Sequence, residues 1–382
     1  MFNRWIDLSR KGFSEPHRIV PFLREKITKF SYLLGDGSWA PRPISIKLYV
    51  NTECNAHCRM CDTGQSMRES MFYQQSLKDG ENLSIDLLDK LLDEVGTYYP
   101  HIDIAGLEPL LHPGIMELVE HVKKRRLFLS LTTNGIFLEH YAEKLVEAGL
   151  DVISVSVSGP EKIHDAVMGV PGAFQKVMTG MTTLKDFREN RKARKPRINV
   201  SYCVTDINAG ALVETASVIF GEGLADTISI IHPYFVAEST SNEHNGQFSD
   251  VGLSTPTGPQ ISFLNNIDID ILWDQLREVK KMHSSNKVRE TQRFKNKVKL
   301  FNYYHRPDVL VSNKRCIIPW QRSMIMSNGD IVIYNRCIPY LAGNLHRESF
   351  ADTWNGEAYR RFRRILRKVG TFPACSRCCG VI

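Results

Sequence analysis

The sequence predicts an α/β protein: a partial (β/α)6 TIM-like barrel followed by a small C-terminal module containing a β-hairpin. Three observations carry this. Six short apolar runs between residues 44 and 235 alternate with helical patterns, which implies a parallel, right-handed βα array. Six units fall short of the eight of a closed barrel, so one side stays open for a substrate. From Cys316 onward the pattern changes to alternating apolar runs around Asn328-Gly329, a hairpin signal, with cysteines on either side.

Residues 1–43 form an N-terminal helical extension, with apolar residues at helical spacing over residues 19–34 before Gly35-Asp36-Gly37 stops them. The barrel occupies residues 44–235. Its first strand is the alternating run 43–50, and a helix over 84–95 follows with Ser84 as N-cap. Strands over 102–105, 127–132, 152–157, 198–205 and 227–232 then alternate with helices over 115–124, 138–148, 173–187 and 212–220. Residues 236–268, rich in Ser, Thr, Asn and Gly, read as a polar loop or lid, with linking helices over 271–282 and 288–304 to residue 310. The C-terminal module spans 311–382.

A chain of 382 residues with 42% apolar and 9% aromatic residues builds a sizeable core, which argues against disorder. The net charge of +7 fits an acidic protein partner as well as it fits nucleic acid. Nine cysteines, an odd number that includes Cys-x-x-Cys pairs, point to metal binding in a reducing compartment rather than to disulfides. The N-terminus has no continuous apolar run like that of a signal peptide, and no 18-residue apolar run occurs, so the expected location is the cytoplasm, away from membranes.

The chemistry starts at residues 51–62, where Cys54, Cys58 and Cys61 follow the first strand in a Cys-x3-Cys-x2-Cys spacing. Soft thiolates on one short loop reach one inorganic core, zinc, copper(I) or iron–sulfur. An ordinary four-iron cluster takes four cysteines, and no fourth follows before Cys203, so the trio suggests a cluster with one iron left open. Cys203 itself sits within an apolar strand and reads as a buried, inert thiol.

This spacing resembles that of the radical S-adenosylmethionine (SAM) superfamily. The resemblance implies a [4Fe-4S] cluster on Cys54, Cys58 and Cys61, SAM chelating its open iron, and a 5'-deoxyadenosyl radical. Gly106-Leu107-Glu108-Pro109 resembles the family's Gly-Gly-Glu-Pro turn, with Leu107 in place of the second glycine; Gly106 and Glu108 are then expected to hold the amino group of SAM. Met60 stands where an adenine-stacking aromatic is frequent. Thr132-Thr133-Asn134-Gly135 is a strand end that lines the cavity in relatives, and is equally an ordinary turn signal. Ser156 and Ser158, at the end of the fourth strand, fall where the family places polar residues near the ribose or carboxylate. His164-Asp165 through Phe174 resembles another family segment, with Met168 where an arginine is usual.

Cys316, Cys337, Cys375 and Cys378 supply four thiolates in the spacing Cys-x20-Cys-x37-Cys-x2-Cys, with Cys379 as an alternative to Cys378. The set resembles the twitch or shortened SPASM module, which carries an auxiliary [4Fe-4S] cluster; spacing alone also accepts zinc. A fully ligated cluster cannot grip substrate, so its expected role is electron transfer.

The reading is a radical SAM oxidoreductase acting on a small-molecule substrate, a polar metabolite of sugar or aminocyclitol type. Reduced flavodoxin or ferredoxin is the expected electron donor. A peptide-modifying enzyme is the alternative within the superfamily, and a non-catalytic zinc protein docking RNA is the alternative outside it. The sequence does not name the base that takes the proton; His232, at the end of the sixth strand, and Tyr234 are candidate cavity residues, and His232 reads at least as well as a structural histidine. The basic stretches 287–299 and 359–368 have helical spacing and read first as solvated helix faces, then as docking sites for an acidic donor; nucleic-acid contact ranks last, because few aromatics are interleaved.

Overall fold

A computed structural model describes residues 16–33, 36–61, 71–77, 81–256, 261–309, 311, 315–334 and 336–378. Gly35 and Cys379, both named above, lie outside them.

The strands β1 (Ser45–Tyr49), β2 (His101–Ala105), β3 (Leu129–Thr133), β4 (Val152–Ser156), β5 (Arg197–Cys203), β6 (Thr227–Ile231) and β7 (Val288–Glu290) pair in parallel in chain order. The seventh was unexpected. The stretch 288–304, read as one helix, is instead β7 followed by a helix over Lys297–His305, because three residues carry too little alternation to be recognised.

Alternation sorts the side chains. Ile46, Leu48, Ile102, Ile104, Leu129 and Leu131 are fully buried, as are Ile153, Val155, Ile198, Val200, Ile228 and Ile230. They pack with an outer layer of helices that includes α1 (Ile85–Val95), α2 (Ile115–Lys124), α3 (Leu138–Glu147), α4 (Glu161–Met168), α5 (Ala173–Asn190), α6 (Leu212–Gly221) and α7 (Ile269–Met282). Ser84 caps α1 as its sequence predicts, accepting from the Leu87 N–H at 3.2 Å. The alternate residues face inward and are polar. The Ser130 hydroxyl donates to Asp103 at 2.6 Å, Lys47 pairs with Asp103 at 3.3 Å, and Asn199 bonds Ser154 and accepts from Thr227 and Ser229. The barrel interior is therefore a polar belt.

The stretch read as a polar lid is in part a helix, α8 (Glu238–Phe248). Its buried residues are Thr240, Ser241 and His244, which bond the Ala237, Ser254 and Gly252 carbonyls, so no apolar stripe announced it.

The C-terminal hairpin forms as expected: β8 (Arg322–Ile325) and β9 (Asp330–Ile333) pair antiparallel, with Gly329 at φ 82° in the turn. It is not an independent sheet. β8 pairs in parallel with β1, and β10 (Leu341–Asn344) completes a ten-stranded sheet in the order β10-β9-β8-β1-β2-β3-β4-β5-β6-β7. The N-terminal helix Pro16–Leu33 packs against this end of the molecule, with Tyr32 edge-on to Trp320 at 4.9 Å.

The last helix, α9 (Glu357–Val369), places Arg363 in the core, its guanidinium 4.3 Å from the Trp354 ring and 4.7 Å from that of Tyr359. It donates to the carbonyls of Pro319 and Ser38 and to Asn355 Oδ1. Replacing Arg363 by alanine strands those acceptors and opens a cavity. The expected loss is about 3 kcal/mol or more, read as a lowered midpoint in chemical unfolding; a curve superimposable on the wild type would contradict the stapling role.

Candidate functional site

The cysteine loop leaves β1 at the strands' C-terminal ends, where parallel α/β folds bind ligands. It is tied down along its length. The His57 and Arg59 amides donate to the Met168 and Val167 carbonyls at the end of α4, and the Arg59 side chain forms a two-pronged pair with Asp206 at 2.8 and 3.1 Å. Gly169, at φ 65°, lets the loop approach, since a Cβ there would sit 2.9 Å from the His57 carbonyl.

Cys54, Cys58 and Cys61 line a cavity of about 370 Å³. Met60, Gly106, Glu108, Thr132, Thr133, Asn134, Ser156 and Met168 line it with them. Sequence-predicted residues from a loop, three strand ends and the end of α4 thus meet in one space. Ser158 does not join them: it is buried, its amide donating to His164 Nδ1 at 3.1 Å and its carbonyl accepting from Asn208. The His-Asp segment is bracing, with Asp165 accepting from the Gly172 and Phe174 amides at 2.6 and 2.8 Å.

The Gly106 turn is built by close approach. A Cβ on Gly106 would stand 2.3 Å from Asn51 Oδ1, and Asn51 Nδ2 donates to the Glu108 carbonyl at 2.7 Å. Asn51 Oδ1 is buried with no partner among the described residues, leaving a bare acceptor against Gly106, which lines the cavity. Glu108 is buried and committed to the protein: Oε1 accepts from Leu110 N–H and the Thr133 hydroxyl, and Oε2 from Asn134 N–H at 2.6 Å. Its first role is to lock the turn to the end of β3.

Burial pushes the Glu108 carboxyl up to about 7, its three hydrogen bonds pulling the other way. A raised carboxyl favours folding fully below its unfolded value of 4.5, and that contribution is lost as pH rises through about 7. The SAM-free protein is therefore expected to lose about 3 kcal/mol of stability across that window. Glu108→Gln sets an amide against one of the donor sets, costing about 1–3 kcal/mol, and removes the pH dependence. Chemical unfolding at pH 5.5 and 8 checks both; the same pH slope in both proteins would refute the assignment.

Burial raises the Cys54 and Cys58 thiols above the ordinary cysteine range, so a bound cation is needed to ionise them. The Asn134 amide lies 3.9 Å from Cys54 Sγ and 2.7 Å from Asn55 Oδ1. Met168 Sδ, which replaces the family's arginine, stands 3.5 Å from Cys58 Sγ.

Cys316, Cys337, Cys375 and Cys378 meet around a second cavity of about 170 Å³. Burial pushes the Cys316 thiol up to about 11 and raises Cys375 as well. Phe362, Leu366 and Phe372 wall them in. Among the described residues no three Cys, His, Asp or Glu side chains converge on an ion-sized point, so both thiol sets enclose volumes rather than a point.

His232 is fully buried behind the barrel, with Nδ1 2.6 Å from the Tyr304 hydroxyl and Nε2 3.2 Å from Glu290, so it does not face either cavity. Tyr234 lines the second cavity. Sequence reasoning missed Asn51, and missed Lys47, Arg322 and Arg336 in the second cavity; a lone charged residue in the alternating strand 45–49 was the signal for Lys47.

The radical SAM superfamily profile matches residues 48–200, and that of an iron–sulfur cluster-binding domain, SPASM, matches 316–379. The chain is 25% identical over 350 residues to the tungsten-containing aldehyde ferredoxin oxidoreductase cofactor-modifying protein of Pyrococcus furiosus, covering 87% of this chain and 86% of that protein. It is 25% identical over 343 residues to the AdoMet-dependent heme synthase of Methanosarcina barkeri, covering 88% of each. To a probable GTP 3',8-cyclase of Methanococcus maripaludis it is 33% identical over 153 residues, 37% of this chain and 48% of that one. Among solved structures, Streptococcus suis SuiB bound to S-adenosylmethionine has a TM-score of 0.55 at 15% identity, covering 84% of this chain and 68% of that one. Native anSMEcpe with bound AdoMet has a TM-score of 0.55 at 15% identity, covering 84% and 82%. At that identity the likeness is one of fold.

Proposed function

The chain is a radical SAM protein with a C-terminal SPASM-type iron–sulfur module, and from that premise we propose an enzyme that cleaves SAM reductively and oxidises a small polar metabolite. Its cofactors are SAM, the [4Fe-4S] cluster that binds it and an auxiliary iron–sulfur cluster. Cys54, Cys58 and Cys61 hold the first cluster; Cys316, Cys337, Cys375 and Cys378 hold the second. When bound, the first cluster and SAM supply a 5'-deoxyadenosyl radical that takes a hydrogen atom from substrate, and the second supplies an acceptor for the electron left behind.

The protein's own residues arrange this. The Gly106 turn and Asn51 Oδ1 offer acceptors to the SAM ammonium group, while Glu108 keeps that turn rigid. Met60 gives the adenine a soft apolar contact, and Ser156 bonds the ribose or carboxylate. The observation that carries the reading is that, among the described residues, three thiols share one cavity with Gly106, Glu108 and Ser156.

The sugar or aminocyclitol class proposed for the substrate rests on the polar belt inside the barrel. The two relatives matched over most of their length, named for modifying a cofactor and for making heme, also favour a small molecule over a peptide. Reduced flavodoxin or ferredoxin is the proposed donor. The test is anaerobic reconstitution, iron and sulfide analysis, and detection of 5'-deoxyadenosine from SAM and dithionite with candidate metabolites screened for stimulation. About eight irons per chain and 5'-deoxyadenosine are expected; fewer than about four irons, or none of that product, sinks the proposal.

A further inference from the structure

The second cavity is lined by more than thiols. Lys47 on β1 and Arg322 on β8 face them from the barrel, Arg336 stands next to Cys337 on the loop after β9, and no carboxylate is among the described lining residues. The placement follows from strand alternation: Lys47 and Tyr49 share the inner face of β1, Arg322 and Met324 that of β8, and Lys47 is in register with Met324. Aromatic faces steer the charges. The Arg336 guanidinium lies 4.3 Å from the Tyr234 centroid, Arg322 lies 5.5 Å from that of Tyr334, and the Lys47 ammonium lies 5.9 Å from the same ring. Asp103, at 3.3 Å, answers the Lys47 charge but also accepts from the Ser130 hydroxyl. Tyr234 Oη is buried with no partner among the described residues.

This wall adjoins the first cavity. Tyr49 is in register with Ala105, which lines the first cavity, and Leu107 of that cavity packs into one small apolar cluster with Tyr49, Met324 and Tyr334.

We propose that Lys47, Arg322 and Arg336 form an anion-binding wall that selects a substrate bearing a carboxylate or phosphate and orients it between the two cluster sites. The proposal rests on the radical SAM reading for the role of the first cavity. Arg322 is exposed and Arg336 half-buried, and guanidinium and ammonium groups make the charge-assisted hydrogen bonds that recognise such anions. The competing role for the same cations is to balance the charge of the thiolate-bound auxiliary cluster.

Anaerobic titration calorimetry on the reconstituted, SAM-loaded enzyme separates the two. The probes are glucose 6-phosphate, glucuronate and glucose, which share a ring and differ in charge. Binding of one or both acids, weakened by salt, with glucose silent, is expected; binding of one acid alone assigns the group. Lys47→Gln, Arg322→Gln and Arg336→Gln are each expected to weaken binding at least about tenfold at unchanged iron content, with Lys47→Arg retaining it. Glucose binding as tightly as its acids, no acid binding, or variants that bind normally would overturn the wall. So would a shifted auxiliary-cluster reduction potential in these variants with anion binding unchanged. Titration needs no turnover, so a wild-type enzyme that makes no 5'-deoxyadenosine defeats the radical reading while the titration still decides the wall.

Discussion

Replacing Cys54 by alanine is expected to cut 5'-deoxyadenosine formation from SAM and dithionite by at least ~10³-fold, about 4 kcal/mol of barrier. The size follows from the ligand count. The loop offers three thiols, so a variant with two cannot hold a four-iron core while leaving an iron free for SAM. Iron should fall by about four per chain, with the auxiliary complement kept. The loop is fastened chiefly through the His57 and Arg59 amides and the Arg59–Asp206 pair, which the substitution leaves in place, so the fold should survive. Full iron content together with residual product formation would remove Cys54 from the site.

The second large effect is expected at Cys375. Its thiol is buried in the main core with Cys316 and Cys337, and Trp320 and Phe372 pack in the same cluster. A metal centre that ties residues so distant in sequence contributes its binding free energy to folding. Cys375→Ala should therefore lose about four irons and on the order of 5 kcal/mol of stability, far more than the truncation of one thiol costs. Thermal unfolding and iron analysis on the same sample check this. A small stability change with iron retained would mean that Cys375 is a packing residue and that the auxiliary centre lies elsewhere.

Much of the fold was legible because the decisive signals are local. The strands β1 to β6 announced themselves by apolar alternation, and Ser84 marked its helix by a cap that the structure repeats. The Cys54 trio is a loop property and needs no tertiary knowledge to be read. Three features were hidden for stated reasons. β7 is three residues long, below the reach of periodicity. Helix α8 buries Thr240, Ser241 and His244, so its inner face looks like a loop in composition. The cations opposite the auxiliary thiols come together only because β8 lies beside β1, a pairing that no local pattern contains. Glu108 was found by its motif, but its role in locking the turn to β3 appeared only with its three hydrogen bonds.

The pairing of β8 with β1 also sets an order of assembly. Ser45 waits for Arg322, a separation of 322 − 45 = 277 positions. At the ribosome's pace of about 5–20 residues per second, that edge of the growing sheet stays bare for roughly 14–55 seconds. Bare parallel edges template mispairing with other chains. The segment that begins with β8 is thus a selvedge on the barrel, and a chain stopped before residue 322 is left with an adhesive border in place of a finished one.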